Sequence, residues 1–374
     1  MLSTVRSILL AASFPPALGG VETLLYQTSR RLADPPLVLA PAPAAVPDVA
    51  VRSVRLDLAA RAAYRPLWAL HPSLHYVQMF LGPALRAAAT WQPQVIQAGH
   101  IYLAPLAWLL ARRLGLPFVV FTYGQEVWRA GRAMGLRSLD ALLRGQALRS
   151  ASTVLVPGGF TAGLLADWQV PAVRIVGVPY GAEPRPASAL PSGRTLLSVA
   201  RLVPRKGIDT VIRAMPRLAP DVEYRVVGRG PEERRLQTLA RSLGVAERVH
   251  FLGRLDDGAL ADEYRRCTIF VLPARRTLEG DLEGYGLVYF EAAAWGRPVI
   301  AGRSGGEIDA VVDGITGVLV DGESAEQLAE TIMSLLTDPV RLQSLGAAGR
   351  ARVETTHNWS RAAAVVDQTL AGLR

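Results

Sequence analysis

The chain has 374 residues, of which 50% are hydrophobic and 20% charged, and its formal net charge is +9. This length and composition predict a folded protein of two domains. The single cysteine, Cys267, excludes an internal disulfide framework, and no apolar run approaches the roughly 18 residues that a membrane-spanning helix needs.

The first half of the chain alternates between strand-like and helical segments. The apolar run at 6–12 is too brief for a signal peptide and passes into Gly19-Gly20, so it predicts a buried strand followed by a glycine loop. Further strand-like runs lie at 94–97, 117–123 and 152–156, and helical periodicity lies at 21–33, 103–114 and 136–150. This alternation predicts a parallel sheet covered by helices.

A stretch rich in proline, serine and glycine, Glu183–Gly193, interrupts the pattern and is interpreted as a linker. Alternation then resumes, with strand-like runs at 195–199, 223–227, 249–252, 269–272, 298–301 and 317–320. We therefore predict an α/β protein of two Rossmann-like, doubly wound domains, 1–183 and 194–356, with a ligand cleft between them. The last segment, 357–374, is predicted to be helical and to pack back on the first domain.

Lysine occurs once in the chain, whereas arginine occurs 40 times. A composition with so strong a preference for arginine predicts that the surviving lysine, Lys206, does something that arginine cannot. A compact ammonium on a flexible stem can contact a phosphate oxygen as a point charge. Lys206 is therefore a candidate phosphate ligand, and the alternative is chance survival on a solvated loop.

Two segments of the second half carry residues suited to a sugar diphosphate. Arg201 and Lys206 follow a predicted strand and precede a helix, which is a favourable position for phosphate. Later, Gly286 allows backbone N–H groups close approach to a phosphate at a helix start. Glu283 and Glu291 flank that start and could accept hydrogen bonds from sugar and ribose hydroxyls. Taken singly, each glutamate could instead be a solvated charge at a helix end.

These motifs resemble a known family. The motifs are the Glu283/Glu291 pair, the Arg201 to Lys206 loop, Val227-Gly228-Arg-Gly230-Pro, Phe251-Leu-Gly253, Gly296-Arg-Pro-Val-Ile300, Ser304-Gly305-Gly306, Asp313-Gly-Ile-Thr-Gly317 and, in the first domain, Gly19-Gly20-Val-Glu-Thr and Val156-Pro-Gly-Gly-Phe-Thr161. Together they resemble the retaining glycosyltransferases of family 4, which have the GT-B fold. The segment from Glu279 to Glu291 is especially similar to the bacterial phosphatidylinositol-mannoside mannosyltransferases.

The resemblance implies a role for each matching residue. Arg201 and Lys206 would neutralise the departing diphosphate, and Glu283 would bind hydroxyls of the donor sugar. The remaining donor-binding residues that it implies are Gly20, Gly228, Gly286, Leu287, Val288 and Glu291, with Glu291 on the ribose. It also implies that the anomeric configuration is retained, and that the nucleoside-diphosphate sugar is a substrate with no metal or other cofactor required.

One position departs from the family pattern. Family members usually have a histidine before Gly-x-Glu/Asp in the first domain, where this chain has Tyr123 followed by Gly124-Gln-Glu126. A tyrosine can donate a hydrogen bond to a sugar hydroxyl, but its pKa near 10 makes it a poor base at neutral pH. Tyr123 is thus a candidate catalytic residue of altered type. His100, at another strand end, is an alternative, although a histidine in such a position is more often a capping or packing residue.

The net charge lies entirely in the first half. Residues 1–187 carry 17 basic and 8 acidic side chains, whereas residues 188–374 carry 24 of each. Basic and aromatic side chains are mixed in two segments, at Arg61, Arg65, Trp68, His71, His75, Tyr76, Phe80 and Arg86, and at Arg129, Arg132, Arg137, Arg144 and Arg149. They predict either an interfacial helix on anionic lipid or core helices with solvated arginines. No nucleic-acid motif is present, so no nucleic-acid partner is expected.

The sequence therefore predicts a hexosyltransferase. The expected donor is GDP-mannose or UDP-glucose, and the expected acceptor is a lipid-linked molecule or a glycan. The expected location is the cytoplasm, with peripheral binding to the inner face of the plasma membrane. The alternatives are a weakly active or inactive sugar-nucleotide-binding peripheral membrane protein and a nucleotide-sugar epimerase of the same fold.

Overall fold

The computed structural model describes residues 4–17, 19–41, 46, 48–54, 72–132, 139–186 and 188–373. The chain divides into two compact units. Unit 1 is formed by the described parts of Met1–Tyr180 together with Trp359–Arg374, and unit 2 is formed by Gly181–Asn358. The chain thus passes from unit 1 to unit 2 and back.

Unit 1 contains a parallel sheet of seven strands. They are β1 (Ser7–Leu10), β2 (Leu37–Ala40), β3 (Val51–Ser53), β4 (Val95–Ala98), β5 (Phe118–Phe121), β6 (Thr153–Val156) and β7 (Ile175–Gly177). Their spatial order is β3-β2-β1-β4-β5-β6-β7, and every neighbouring pair is parallel. All four residues of β1, β2, β4, β5 and β6 are buried, as expected for a parallel sheet covered on both faces.

Helices supply the covering layers of unit 1. The described helices are α1 (Gly20–Ser29), α2 (Pro72–Trp91), α3 (Ala104–Leu114), α4 (Gln125–Arg132), α5 (Leu139–Ser150) and α6 (Gly159–Ala166). Phe80 of α2 and Leu106 and Leu110 of α3 are buried in one apolar core with Ile96 of β4 and Val120 of β5. The C-terminal segment is helical as well, and its helix packs against α1.

Unit 2 contains a second parallel sheet. Its strands are β8 (Thr195–Val199), β9 (Glu223–Val227), β10 (Val249–Gly253), β11 (Ile269–Leu272), β12 (Val299–Gly302) and β13 (Gly317–Val320). Their order is β10-β9-β8-β11-β12-β13, with all pairs parallel. The helices that follow α6 are α7 (Ile208–Ala214), α8 (Glu233–Ser242), α9 (Asp257–Arg266), α10 (Leu287–Ala294), α11 (Glu307–Ala310), α12 (Ala325–Thr337), α13 (Pro339–Thr355) and, in unit 1, α14 (Trp359–Ala371).

In both sheets the spatial order of the strands reverses at an equivalent point. In unit 1 the strand order turns between the neighbours β1 and β4, and in unit 2 it turns between β8 and β11. Ligands of open parallel sheets bind beyond the carboxyl ends of the strands at such a reversal. The loops after β8 and β11 are therefore where a ligand of unit 2 is expected.

The fold agrees with the predicted alternation and adds elements to it. All six strands predicted for the second half are present within one or two residues, whereas β2, β3 and β7 were not identified from the sequence. The predicted linker is irregular, but part of it packs on unit 2. Arg297, which is fully buried, donates hydrogen bonds to the Ala189 carbonyl and to Ser188 Oγ.

The interpretation of the basic segments needs correction at Arg144. This residue is completely buried and pairs with the equally buried Asp140 at 2.9 Å, while its guanidinium lies 5.0 Å from the Tyr102 ring. It is neither a solvated nor a lipid-facing arginine, because its charge is compensated inside unit 1. Arg61, Arg65, Trp68, His71 and Arg137, and the side chains of Arg129 and Arg132, lie outside the described residues.

Among the residues that the structure describes, no helix is both long and apolar enough to cross a bilayer.

Candidate functional site

The loop after β8 approaches the loop after β9 too closely for a side chain at Gly228. This glycine has φ 129°, and a Cβ built on it would lie 1.9 Å from the Ala200 carbonyl oxygen. The Leu202 N–H donates to the Arg229 carbonyl at 3.0 Å, so the two loops are joined by backbone. Arg201 lies between these contacts with an exposed side chain. Gly228 has a backbone role in this structure, since it allows the packing that fixes the position of Arg201. Donor binding by Gly228, which the resemblance implies, stays a prediction.

Lys206 ends a single 3₁₀ turn, Pro204–Lys206, and lies inside the protein. It is 8% exposed, and its Nζ donates to the carboxylate of Glu283, also 8% exposed. One residue earlier, Arg205 pairs with Asp281 at 3.3 Å. Two adjacent ion pairs therefore connect the loop after β8 to the loop after β11.

The electrostatics of Glu283 follow from this pairing. Burial by itself would raise the pKa of the Glu283 carboxyl, because it disfavours the charged form. The Lys206 ammonium, the Arg205 guanidinium and the Tyr285 N–H outweigh burial and leave that pKa below its usual value. Glu283 is therefore a carboxylate at neutral pH.

A neighbouring loop supports Glu283 from the end of β12. The Gly306 N–H donates to the Glu283 carbonyl at 2.9 Å. The loop is itself fixed by Glu307, whose Oε1 accepts from the N–H groups of Ser304 and Gly305 at 2.6 and 2.9 Å. Glu307 is fully buried and was not among the predicted site residues. The sequence analysis singled out only the preceding motif, Ser304-Gly305-Gly306.

Helix α10 begins directly after Gly286, which has φ 86° in the left-handed region. A Cβ at Gly286 would lie 2.3 Å from the Tyr289 ring, so both conformation and space require glycine. Leu287 and Val288 are the first two residues of α10. The first N–H groups of a helix have no acceptor within the helix and carry its positive end, so they suit an anion.

Glu291 lies one turn into α10 and has a partner that sequence analysis missed. Its Oε2 accepts a hydrogen bond from the Tyr264 hydroxyl at 2.7 Å. Burial raises the pKa of Glu291, although Tyr264 and the nearby Arg185 act in the opposite direction. Tyr264 is 27 residues away on α9, so no local sequence signal linked it to Glu291.

Unit 2 thus brings together eight of the ten predicted site residues. They are Arg201, Lys206, Gly228, Glu283, Gly286, Leu287, Val288 and Glu291, and all lie in the loops that follow strands of its sheet or in the first five residues of α10. The arrangement combines cations and helix N–H groups, which bind phosphate, with two carboxylates, which accept from hydroxyls. A sugar diphosphate presents both kinds of group.

The other two predicted site residues belong to unit 1. Gly20 is the first residue of α1, after β1, and Tyr123 follows β5. The Tyr123 hydroxyl donates to the Gly99 carbonyl at 2.9 Å, and burial raises its pKa well above the ordinary value. Tyr123 is thus no base in this structure, and its hydroxyl proton is already directed to backbone.

His100 and Glu126 border Tyr123. The Nδ1 atom of His100 accepts from the Tyr102 N–H at 3.3 Å, and its ring stacks on the Tyr102 ring with centroids 4.9 Å apart. Burial and the Arg144 charge lower the pKa of His100 to about 4, so it is neutral at pH 7. Glu126 Oε1 accepts from the Tyr123 N–H at 2.6 Å, and burial raises the Glu126 pKa to about 7.

In the part of the chain that the structure describes, no three His, Cys, Asp or Glu side chains are grouped so as to hold a metal ion. Cys267 is fully buried.

Sequence comparison identifies the family. Residues 19–181 match the sequence model "Glycosyl transferase 4-like domain", and residues 183–352 match "Glycosyl transferases group 1". The chain belongs to the family 4 glycosyltransferases. The family and the hexosyltransferase activity predicted from the sequence are thereby confirmed.

This glycosyltransferase has relatives among mannosyltransferases. It is 35% identical to a GDP-mannose-dependent alpha-(1-6)-phosphatidylinositol monomannoside mannosyltransferase of Mycolicibacterium smegmatis, over 72% of this chain and 75% of the relative. It is 32% identical to the Mycobacterium tuberculosis protein of the same name, over 98% of both chains. A D-inositol 3-phosphate glycosyltransferase of Thermobispora bispora is 31% identical over 76% of this chain and 72% of the relative.

Solved structures confirm the predicted GT-B fold of the glycosyltransferase. HepE of Anabaena, solved with UDP and glucose, superimposes with a TM-score of 0.78 at 18% identity, over 99% of this chain and 100% of that one. Sucrose-phosphate synthase of Thermosynechococcus elongatus gives a TM-score of 0.79 at 22% identity, over 98% of each chain.

Proposed function

We propose that this glycosyltransferase transfers mannose from GDP-mannose to a lipid-linked acceptor, retaining the anomeric configuration and requiring no metal ion. The names of the mycobacterial relatives support GDP-mannose and a phosphatidylinositol-based lipid. UDP-glucose is the second candidate donor, and a glycan is the second candidate acceptor.

The contact between Lys206 and Glu283 beside the start of α10 supports the donor site most directly. It joins a cation, suited to the diphosphate, to a carboxylate, suited to sugar hydroxyls. The two groups lie at the reversal point of the unit 2 sheet, between the loops after β8 and β11. Glu291, four residues into the helix from Leu287, is proposed for the ribose hydroxyls.

The proposed chemistry is a same-face substitution at the anomeric carbon. The bond from that carbon to the diphosphate oxygen breaks, and a bond to the acceptor hydroxyl oxygen forms. The acceptor proton passes to the departing phosphate oxygen, so no separate protein base is needed. Arg201, Lys206 and the N–H groups at Leu287 and Val288 stabilise the negative charge that develops on the diphosphate.

Tyr123 has a positioning role in this proposal. Its hydroxyl and its N–H bond to Gly99 and Glu126, which fixes the backbone at the end of β5. This role suits the chemistry above, since the leaving group accepts the proton. A transfer assay distinguishes the active enzyme from the inactive sugar-nucleotide-binding alternative, in which no transfer would occur.

The lipid acceptor implies peripheral binding at the inner face of the plasma membrane. The net positive charge of residues 1–187 supports contact with anionic lipid. Flotation with phosphatidylglycerol vesicles checks this part, because the protein should co-migrate at low salt and be released at high salt. Absence from the vesicle fraction at low salt would contradict it.

The donor site is tested by thermal-shift titration with GDP, UDP, ADP and their sugars, with and without EDTA. A ligand that binds the native state raises the melting temperature, and we expect the largest shift with GDP-mannose. Lys206→Ala should lose the shift and reduce transfer by about 100-fold or more, the scale of a lost charge-stabilising group. The matched control is Cys267→Ser, which should retain activity. Release of an epimerised free nucleotide sugar would favour the epimerase instead.

A further inference from the structure

Two side chains that are proposed to bind different parts of the donor contact each other in this structure. Lys206 is assigned to the diphosphate and Glu283 to the sugar, yet the Lys206 ammonium donates to the Glu283 carboxylate. Both side chains are largely enclosed, with 11% and 10% of their surfaces exposed. Each group therefore compensates the charge of the other at a position that water reaches poorly.

A ligand that binds Lys206 removes it from Glu283 and so changes the environment of the carboxylate. A free nucleoside diphosphate that draws Lys206 onto its phosphate leaves the Glu283 carboxylate buried and without its main counterion. An uncompensated buried charge is strongly destabilising. A nucleoside-diphosphate sugar removes Lys206 in the same way, but its sugar hydroxyls can donate to the released carboxylate.

We propose that Glu283 is a specificity-determining residue, which makes the site prefer a nucleoside-diphosphate sugar to the free nucleoside diphosphate. This inference rests on the donor site proposed above and adds a selective property to it. Its consequence for turnover is that loss of the sugar to the acceptor restores the competition between Glu283 and the diphosphate for Lys206. The pair then promotes product release.

The state of Glu283 is compatible with this mechanism. Its pKa is lowered despite burial, because Lys206 and Arg205 are close, so the carboxylate is charged when the pair is intact. The alternative counterion is already engaged, since Arg205 pairs with Asp281 at 3.3 Å. The loop of Glu283 is also fixed by the Gly306 N–H, so the carboxylate cannot simply turn to bulk water by moving its backbone.

Isothermal titration of the full chain with GDP and GDP-mannose, and in parallel with UDP and UDP-glucose, tests the proposal. The wild type should bind the nucleotide sugar at least ~10-fold more tightly than the matching diphosphate, a factor equal to 1.4 kcal/mol. Glu283→Gln should bind the free diphosphate about 10-fold more tightly than the wild type does, because the amide holds Lys206 weakly and leaves no charge behind. Its preference for the nucleotide sugar should disappear.

The matched control is Glu263→Gln. Glu263 is also a buried glutamate of unit 2, 5% exposed, and it pairs with Arg225 rather than with a candidate ligand. Its substitution should leave the ratio of the two affinities at the wild-type value. In a Lys206→Ala background, Glu283→Gln should no longer improve diphosphate binding, since there is no lysine to release.

The outcomes separate this inference from the donor site itself. Binding of neither ligand by the folded wild type would overturn the proposed function. Equal affinity of the wild type for diphosphate and nucleotide sugar would overturn the role of Glu283 alone, and this result needs no variant. A folded Glu283→Gln protein that binds diphosphate no better than the wild type would do the same.

Discussion

Lys206 and Arg205 are adjacent cations, and each pairs with a carboxylate of the loop that precedes α10. The lysine is the more enclosed of the two, at 11% side-chain exposure against 17% for Arg205. A compact ammonium fits such a space and can exchange one oxygen partner for another by a small rotation. A guanidinium needs a planar, two-pronged partner. This difference explains why a chain with 40 arginines retains lysine here.

The variant Tyr264→Phe tests the hydrogen bond between Tyr264 and Glu291. The variant removes the hydroxyl that donates to Glu291 Oε2 at 2.7 Å while keeping the ring. Loss of one hydrogen bond to a charged group costs about 1.5–3 kcal/mol. We expect KM for the donor to rise about tenfold with little change in kcat, measured by steady-state kinetics. An unchanged KM would show that Tyr264 does not orient Glu291 for the donor.

The sequence predicted individual site residues where their role is local. Gly286 was predicted because a glycine at a helix start lets backbone N–H groups approach a phosphate, and Glu283 and Glu291 were predicted because of their spacing around it. Tyr264 was not predicted, since its partner Glu291 is 27 residues away. Glu307 was not predicted either, although it accepts from the nearby Ser304 and Gly305 N–H groups. The ion pair between Lys206 and Glu283 joins residues 77 positions apart, so the sequence identified both members but not their contact.

The second residue of helix α4, Glu126, is a buried glutamate that titrates near neutrality. Glu126 accepts from the Tyr123 N–H, and burial raises its pKa from 4.5 to about 7. A carboxyl whose pKa is higher in the folded state stabilises the fold fully below pH 4.5, and this contribution is lost as the pH rises through 7.

Glu126→Gln should therefore flatten the dependence of stability on pH. The free energy of unfolding of the wild type should fall by up to about 3 kcal/mol between pH 5 and 8 from this group, whereas the variant should lack that fall. Urea unfolding at several pH values measures both. Glu326→Gln, an exposed glutamate in the first turn of α12, is the control and should follow the wild type. Parallel profiles for wild type and Glu126→Gln would contradict the burial argument.

Helices α2 and α5 are joined by one buried carboxylate. Asp140, near the start of α5, accepts from the Ser73 N–H of α2 at 2.9 Å and pairs with Arg144. Asp140→Ala removes the counterion of a fully buried arginine, a change that costs about 3–5 kcal/mol. Chemical denaturation should show this loss, and Arg112→Gln on the exposed side of α3 should change stability by less than about 0.5 kcal/mol. A loss below about 1 kcal/mol for Asp140→Ala would contradict the buried pair.

The elements that sequence analysis missed are short and depend on their neighbours. Strand β2 has four residues between prolines, β3 has three, and β7 has three, of which two are partly buried and one is exposed. Strand propensity reflects burial and pairing more than backbone preference, so such segments give little local signal. The longer alternation of β4, α3 and β5 carries its own periodicity and was predicted closely. The burial of Arg144 could not be predicted, because the sequence does not distinguish a buried arginine from a solvated one.

At the scale of the whole molecule, the chain returns from unit 2 to complete unit 1. Helix α14 packs on α1, and the Asp367 carboxylate accepts from the Ala33 N–H at 3.0 Å. Trp359, Val366 and Leu370 of α14 are buried, at 6%, 0% and 2% exposure. Burial of three such side chains contributes roughly 5 kcal/mol or more.

Removal of residues 359–374 should therefore destabilise unit 1 selectively. Differential scanning calorimetry should show a lower melting temperature for unit 1 and an unchanged transition for unit 2. Asp367→Asn, which retains the helix, should have a much smaller effect. A truncated protein with both transitions unchanged would show that α14 adds no stability to unit 1.

The return of the chain from unit 2 to unit 1 affects the order of folding during synthesis on the ribosome. Domains usually fold in the order in which they emerge, the first before the second. Here unit 2 has its whole sequence available once residue 358 has left the exit tunnel, whereas unit 1 still lacks α14. We therefore expect unit 1 to acquire its full stability last, after unit 2 has already folded.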